Sequence, residues 1–400
     1  MPVALRIAFA TPDYVTEKDF DSGIANYVHR VAKVLAEMGH DVHVLTKSEV
    51  DQAGFEHQGV TIHRVAFSKT WLKLNRLTRY RLTTAIHLLA LSSGVYWRLK
   101  RLNTKRPFHL VQFPNCSYCG LFSILFLGIP HVLRTSWYQP VWNRSDGVKP
   151  GMDARAVELL ERLQFWLSPY IYSPSHSLQR ILAEEVGLER VRVIPTPYHM
   201  ETPDWDRSVH TELLKGRKYL LFFGRFELRK GFHILAQALP RFLEQCLDAQ
   251  VVLVGRDMES SLAPSMAEYA RSLCGQAAER VTFIKRLPHS QLYPIIAGAH
   301  LVVLPSLVDN FPNVCLEAMA LGKPVIGTSG ASIDELITDE ETGFLVNAND
   351  AVVLAEKIIY AWTHPRLGEI GQAAQRKTLE FAPEKTVDSL LTYYREILLG

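Results

Sequence analysis

Residues 219–232 read YLLFFGRFELRKGF. Five apolar residues in succession, Tyr219–Phe223, suit a strand buried on both faces, and a helical pattern begins at about Phe232. Between them stand Gly224, which lets a ligand approach the backbone, and the cations Arg225 and Lys230. A helix N-terminus favours an anion, so two full positive charges at that spot point to a diphosphate. The stretch is not a P-loop, because Lys230 precedes its glycine and no Ser or Thr follows. No GxGxxG follows the first strand either, which argues against a dinucleotide dehydrogenase.

The same alternation runs outward in both directions. Strands are expected at Leu5–Ala10, Asp41–Thr46, Val60–Val65, Phe108–Gln112, His131–Arg134 and Val191–Ile194. A second series covers Tyr219–Phe223, Gln250–Val254, Val281–Ile284, Leu301–Leu304, Pro324–Gly327 and Phe344–Val346. Helical segments separate them, such as Ile24–Met38, stopped by Gly39. Continuous apolar strands alternating with helices predict an α/β fold of two doubly wound, Rossmann-like parallel sheets with a cleft between them. The break between the series, Pro195–Gly216, has the prolines and mixed charge of a linker. Four hundred residues suit two such domains. We expect them at 1–198 and 217–378, with a final helix over 379–400.

A second motif lies at residues 301–325, LVVLPSLVDNFPNVCLEAMALGKPV. Here a strand runs through a loop into a short helix, with Pro312 suited to the first turn. Glu317, about a turn into that helix, is a carboxylate that can accept both vicinal hydroxyls of a ribose. Asp309, on the loop, can reach the hydroxyls of a sugar. Two carboxylates flanking such a loop, after the Arg/Lys motif, make a nucleotide-sugar site the reading to test.

With these residues in place, the sequence resembles glycosyltransferase family 4, the retaining nucleotide-sugar transferases of GT-B fold. The resemblance spans nearly the whole chain and is densest from Leu220 to Val346. The family's two glutamates eight positions apart, followed by Gly-x-Pro-Val, correspond to Asp309, Glu317 and Gly322-Lys323-Pro324-Val325. The resemblance implies that Arg225 and Lys230 hold the diphosphate, Glu317 the ribose and Asp309 the donor sugar. It also implies donor contacts from Gly224, Asn310, Phe311 and Asn313, and from Gly23 at the start of the first helix. A terminal helix would cross back to the N-terminal domain. Three positions differ from the family pattern. Asp309 is one methylene shorter than Glu, Ser22 stands where a second glycine is frequent, and Thr135-Ser136-Trp137-Tyr138 lacks the family's histidine. Ser136 is a candidate sugar contact in its place, and Gln112, at a strand end facing the cleft, is a candidate acceptor contact.

Such a transferase needs no cofactor; the nucleoside-diphosphate sugar, with UDP or GDP expected, is its donor substrate. The acceptor would be a hydroxyl, on a lipid-linked or anionic molecule. No metal is expected: Asp204-Trp205-Asp206 falls in the linker, and Cys116 and Cys119 form a lone CxxC without a second pair. A catalytically silent nucleotide-sugar sensor or scaffold is the alternative class. Between Lys69 and Arg106 lie ten Lys and Arg and no Asp or Glu, with Trp71, Leu72 and Trp97 among them. That segment suits an anionic membrane surface or a solvated helix face. Nucleic acid is not expected, since the rest of the chain is net negative. The opening residues lack a basic n-region and cleavage site, so a cytoplasmic chain is expected, peripheral on the inner membrane face.

Overall fold

Buried strands need cover on both faces, and the chain supplies it by returning through a helix after nearly every strand. The computed structural model describes residues 4–17, 23–66, 71, 73–145, 147, 151–200 and 204–400. They form two units: 1–140, 149–197 and 382–400 in the first, 141–148 and 198–381 in the second.

The first unit holds β1 (Arg6–Thr11), β2 (Asp41–Ser48), β3 (Gln52–His57), β4 (Val60–Ala66), β5 (Leu110–Pro114), β6 (His131–Arg134), β7 (Ile171–Ser173) and β8 (Val191–Val193). Their order across the sheet is β3-β4-β2-β1-β5-β6-β7-β8. The expectation of an all-parallel sheet is corrected at its edge, where β3 runs antiparallel to β4. Gln58 and Gly59 join the two strands with φ of 51° and 78°. A two-residue turn of positive φ can connect only antiparallel neighbours. Three-residue β7 was also not foreseen.

The second unit holds β9 (Tyr219–Phe223), β10 (Gln250–Val254), β11 (Val281–Ile284), β12 (Leu301–Leu304), β13 (Val325–Thr328) and β14 (Phe344–Val346), in the order β11-β10-β9-β12-β13-β14. Every pairing in this sheet is parallel. Alternate strand residues enter different cores. Leu220, Phe222, Val251 and Leu253 pack with the Phe232–Gln245 and Ala351–Trp362 helices, whereas Leu221, Phe223, Val252 and Val254 pack on the other face with Leu316, Met319 and Tyr293. This period of two within an unbroken apolar run is what a fully buried strand requires.

The stretch expected as a linker is more structured than its prolines suggested. Ser208–Leu214 is a helix whose Leu214 is buried in the second core beside Tyr198. The Tyr198 amide donates to the Phe381 carbonyl at 2.8 Å. Besides the short 141–148 segment, the chain passes from the first unit to the second at Pro197–Tyr198 and returns at Phe381–Ala382.

The closing helix Pro383–Leu399 completes the first unit's core with Val387, Leu390, Leu391, Tyr394 and Ile397. Its anchor revises the reading of Gln112. That strand lies two residues later than expected, which puts Gln112 in the middle of β5, 3% exposed. Its Oε1 accepts from the hydroxyls of Tyr172 (2.7 Å) and Tyr394 (2.6 Å), and its Nε2 donates to Tyr27 Oη at 3.3 Å. A buried amide with these partners is a core fastener, not an acceptor contact. Replacing it by Leu leaves the buried Tyr394 hydroxyl without its acceptor and Tyr172 with Tyr27 Oη alone. Gln112→Leu should therefore cost roughly 2–4 kcal/mol of stability, measured by urea unfolding, while Tyr170→Phe serves as a tyrosine control outside the network.

Candidate functional site

In doubly wound sheets the crevice for ligands opens where strand order reverses, beyond the carboxyl ends of the strands. In the second unit that point lies between β9 and β12. The loops leaving these two strands are the two motifs of the sequence, residues 224–231 and 305–312.

Their backbones touch. Gly231, with φ of 66°, starts the Phe232–Gln245 helix, and a Cβ built there would lie 1.7 Å from the Pro305 carbonyl oxygen. Beside it, a Cβ on Gly255 would meet the Gly224 carbonyl oxygen at the same distance. No side chain can occupy either place, so the ends of β9, β10 and β12 are held edge to edge.

Side chains then cross between the loops. The Lys230 ammonium pairs with the Asp309 carboxylate, both largely buried. Arg229, 6% exposed, pairs with Glu227, and its backbone carbonyl accepts from the Leu307 amide at 2.8 Å. Arg225 is half exposed and reaches Glu227 at 3.4 Å. Asp309 also accepts from the Asn310 amide at 3.0 Å, and its own carbonyl accepts from Ser332 Oγ at 3.1 Å. Glu227 and Arg229 were not singled out in the sequence. Their alternating charges within E-L-R-K were the available signal, since a buried arginine demands a nearby acid.

The helix after β12 runs Asn313–Ala320, with Pro312 at its N-cap rather than inside its first turn. Asn310 is buried, Phe311 packs edge-on against Phe381, and Asn313 is half-buried with its Oδ1 unpartnered. Glu317, its side chain 12% exposed, lies one turn further in, 3.8 Å from the His289 imidazole. Thus Gly224, Arg225, Lys230, Asp309, Asn310, Phe311, Asn313 and Glu317 all belong to the second unit, around one switch point.

Gly23 and Ser136 belong to the first unit. Gly23 opens the Gly23–Glu37 helix after β1; Asp21 and Ser22 lie outside the described residues. Ser136 follows β6 and is half-buried; its Oγ accepts from Arg134 at 2.7 Å, and its amide donates to Asn115 Oδ1 at 2.7 Å. The same Asn115 donates to the Trp137 carbonyl and to Glu161 Oε1, while Glu161 Oε2 accepts from the Gln139 amide at 3.2 Å. A fully buried glutamate therefore holds the 136–139 loop. Burial pushes its carboxyl up to about 8, the Gln139 and Asn115 donors offsetting only part of that effect.

The remaining candidates find other employment. Asp206 accepts from the Ser208 amide and from Gln291, and hydrogen bonds from the Ser208 side chain, Gln291 and that amide hold its carboxyl down at about 2. Cys116 and Cys119 are free and fully buried, and burial pushes the Cys116 thiol up to about 12. Of the basic segment, Lys69 and Leu72 lie outside the described residues. The reading that its cations lack counter-charges is corrected at two of them. Arg98 pairs with Asp51 and Arg106 with Asp41, both acids from the β2 region that precede the segment in sequence. Among the described residues no helix is long and apolar enough to cross a membrane.

The comparisons with known proteins follow this geometry. Residues 22–199 match the model of the glycosyl transferase 4-like domain, and residues 217–364 that of the glycosyl transferases group 1. The chain is a GT-B glycosyltransferase of the family 4 type. This glycosyltransferase is 25% identical over 401 residues to a D-inositol 3-phosphate glycosyltransferase of Arthrobacter sp., covering 94% of the chain and 90% of that relative. It is 25% identical over 360 residues to an uncharacterised glycosyltransferase of Methanocaldococcus jannaschii, covering 86% and 85%. Its fold superposes on sucrose-phosphate synthase of Thermosynechococcus elongatus with a TM-score of 0.72 at 21% identity, covering 99% of each chain. Anabaena HepE, solved with UDP-glucose, superposes at 0.68 with 18% identity, covering 97% of this chain and all of that one.

Glu161 gives the first unit a pH signature. The folded enzyme keeps a proton on this carboxyl that the unfolded chain releases in the ordinary carboxylate range. Its contribution to stability is therefore complete at acid pH and is lost as pH rises towards about 8. Whatever its baseline, Glu161→Gln should flatten that decline, so the difference in Tm between variant and wild type should shift by several degrees between pH 5 and pH 8 in favour of the variant. Parallel melting curves across that range would expose a misreading.

Proposed function

We infer that this glycosyltransferase moves a sugar from a nucleoside-diphosphate sugar, UDP- or GDP-linked, to an acceptor hydroxyl, with retention and without a metal ion. The observation that carries the donor reading is the Lys230–Asp309 pair at the β9/β12 switch point, with Arg225 exposed beside it and Glu317 one turn into the following helix. The binding of UDP and UDP-glucose by Anabaena HepE supports it.

In this reading Arg225 and Lys230 face the diphosphate, and Lys230 passes from Asp309 towards phosphate when donor enters. Asp309, released from half of that pairing, accepts from hydroxyls of the donor sugar. Glu317 accepts from the ribose hydroxyls, and Asn310, Phe311, Asn313 and the Gly224 backbone complete the donor pocket. Cleavage of the bond between sugar and diphosphate leaves charge on the departing phosphate, which the two cations and the helix N-terminus stabilise as preorganised electrostatics. The departing phosphate oxygen takes the acceptor's proton as the new glycosidic bond forms on the same face. Gly23 and Ser136 are assigned to the donor phosphate and the transferred sugar. The acceptor is a hydroxyl on a lipid-linked or anionic molecule, and the basic 69–106 segment draws the enzyme to an anionic membrane surface.

A panel of nucleotide sugars screened by thermal shift identifies the donor, because a ligand of the native state raises Tm. With that donor, Arg225→Ala and Lys230→Ala should each lower turnover about a hundredfold, ~3 kcal/mol of lost charge stabilisation. Near wild-type turnover in both would end the electrostatic account, and inhibition by a chelator would end the metal-free one.

The two carboxylates should fail differently. Glu317→Gln should weaken binding of the bare nucleoside diphosphate roughly tenfold, whereas Asp309→Asn should spare that affinity and depress turnover. Titration calorimetry with nucleotide alone separates these outcomes, and equal losses would show the roles misassigned.

A further inference from the structure

The helix Met152–Leu167 turns an unusual face to solvent. Its exposed residues are Met152, Arg155, Leu159, Arg162, Leu163 and Trp166, four apolar side chains and two arginines without a carboxylate. At about 100° per residue they share one stripe roughly 100° wide. Leu159 is 67% exposed and Trp166 82%, values that a folded protein seldom gives to large apolar groups on the same helix face. The opposite face is ordinary core, with Val157 and Phe165 buried and Glu161 engaged as described.

A second element of the same unit carries a similar set of side chains. Asp153, in the first turn of this helix, accepts from the Thr84 and Ala85 amides at 2.9 and 3.0 Å, which ties it to the start of the Thr83–Lys105 helix. Immediately before that start, residues 76–81 expose Leu77 (84%) and Tyr80 (66%) with Arg76, Arg79 and Arg81. Arg79 and Tyr80 both have positive φ, 48° and 59°, a conformation that non-glycine residues adopt at a cost. Five exposed arginines and six exposed apolar side chains thus stand on these two elements, whose partly exposed acids are Asp153, already engaged by the two amides, and Glu158.

We propose that the Met152–Leu167 helix and the 76–81 turn form the face by which this enzyme seats on an anionic lipid surface, Leu159, Leu163 and Trp166 entering the interface and the arginines meeting headgroup phosphates. It deepens the reading of the basic 69–106 segment above, and moves the apolar part of the contact to a helix outside that segment. An interfacial helix needs this combination: an apolar stripe for burial, flanked by cations whose stems lie along it. The charge pattern selects the occupant. A two-fold dimer through this face would bring two sets of these arginines into one interface, with no carboxylate in the stripe to offset them. A lipid surface of opposite sign brings phosphates to every one of them.

The test uses the full-length enzyme and vesicles of phosphatidylcholine, alone or mixed equally with phosphatidylglycerol. Wild type should sediment with the mixed vesicles and not with phosphatidylcholine alone, less at high salt, with quenching of tryptophan emission by brominated lipid. Leu159→Ser with Trp166→Ser should weaken vesicle binding roughly tenfold or more at every salt concentration. Arg155→Gln with Arg162→Gln should weaken it chiefly at low salt. Donor turnover with a soluble acceptor, and the far-ultraviolet spectrum, should stay at wild-type values in both. If Arg76, Arg79 and Arg81 reversed to Glu abolish binding while Leu159→Ser with Trp166→Ser binds as wild type, the helix is wrongly assigned and the basic segment stands alone. If wild type ignores the mixed vesicles, both readings fall. A dimer in gel filtration that the serine variant dissolves would overturn the proposal in favour of self-association.

Discussion

The contact of Gly231 with the Pro305 carbonyl is the constraint around which the second unit is arranged. A methyl group there would coincide with the oxygen. Because the two turns meet backbone to backbone, the loops after β9 and β12 cannot drift apart, and the side chains they carry are delivered to one place. Burial of Arg229 and its pairing with Glu227 follow from that closeness, as does the Lys230–Asp309 ion pair. Buried charges survive only in such company, since an ion removed from water without a partner costs several kcal/mol. Every cation described at the switch point has a carboxylate beside it. The charges at the switch point are therefore held in place by one another.

Much of the fold could be read in the sequence because the governing signal was strong. Tyr219–Phe223, Gln250–Val254, Val281–Ile284 and Leu301–Leu304 are unbroken apolar runs, and their ends fell where the structure has them. Where the signal depended on a partner, reading failed. β3 is half polar and is a strand only because Gln58-Gly59 folds it back on β4. Gln112 looked like a polar residue at a strand mouth, but three tyrosines remote in sequence make it part of the core. No local pattern announces a hydrogen bond to a residue 282 positions away.

The site shows the same division. The placement of Arg225 and Lys230 after one strand, and of Asp309 and Glu317 after another, was legible because apolar runs mark both strands. That Lys230 and Asp309 face each other was not legible, for it depends on β9 and β12 being neighbours across a reversal of strand order. Glu161 sits in an amphipathic helix and reads as one more charged residue beside Glu158 and Arg162. Only the depth of its burial and its hold on Asn115 and Gln139 set it apart.

The return of the last helix to the first unit has a consequence for biosynthesis. The ribosome makes β1 to β8 first, yet their core lacks Tyr394, Val387 and Leu391 until the final residues emerge. Residues 198–381, by contrast, contain all six strands of the second sheet in one continuous run. The half made first is thus the half finished last, and its tyrosine–glutamine fastener stays open while the second half closes. A nascent chain of this architecture exposes an incomplete apolar surface for most of its synthesis, the circumstance in which chaperones are recruited.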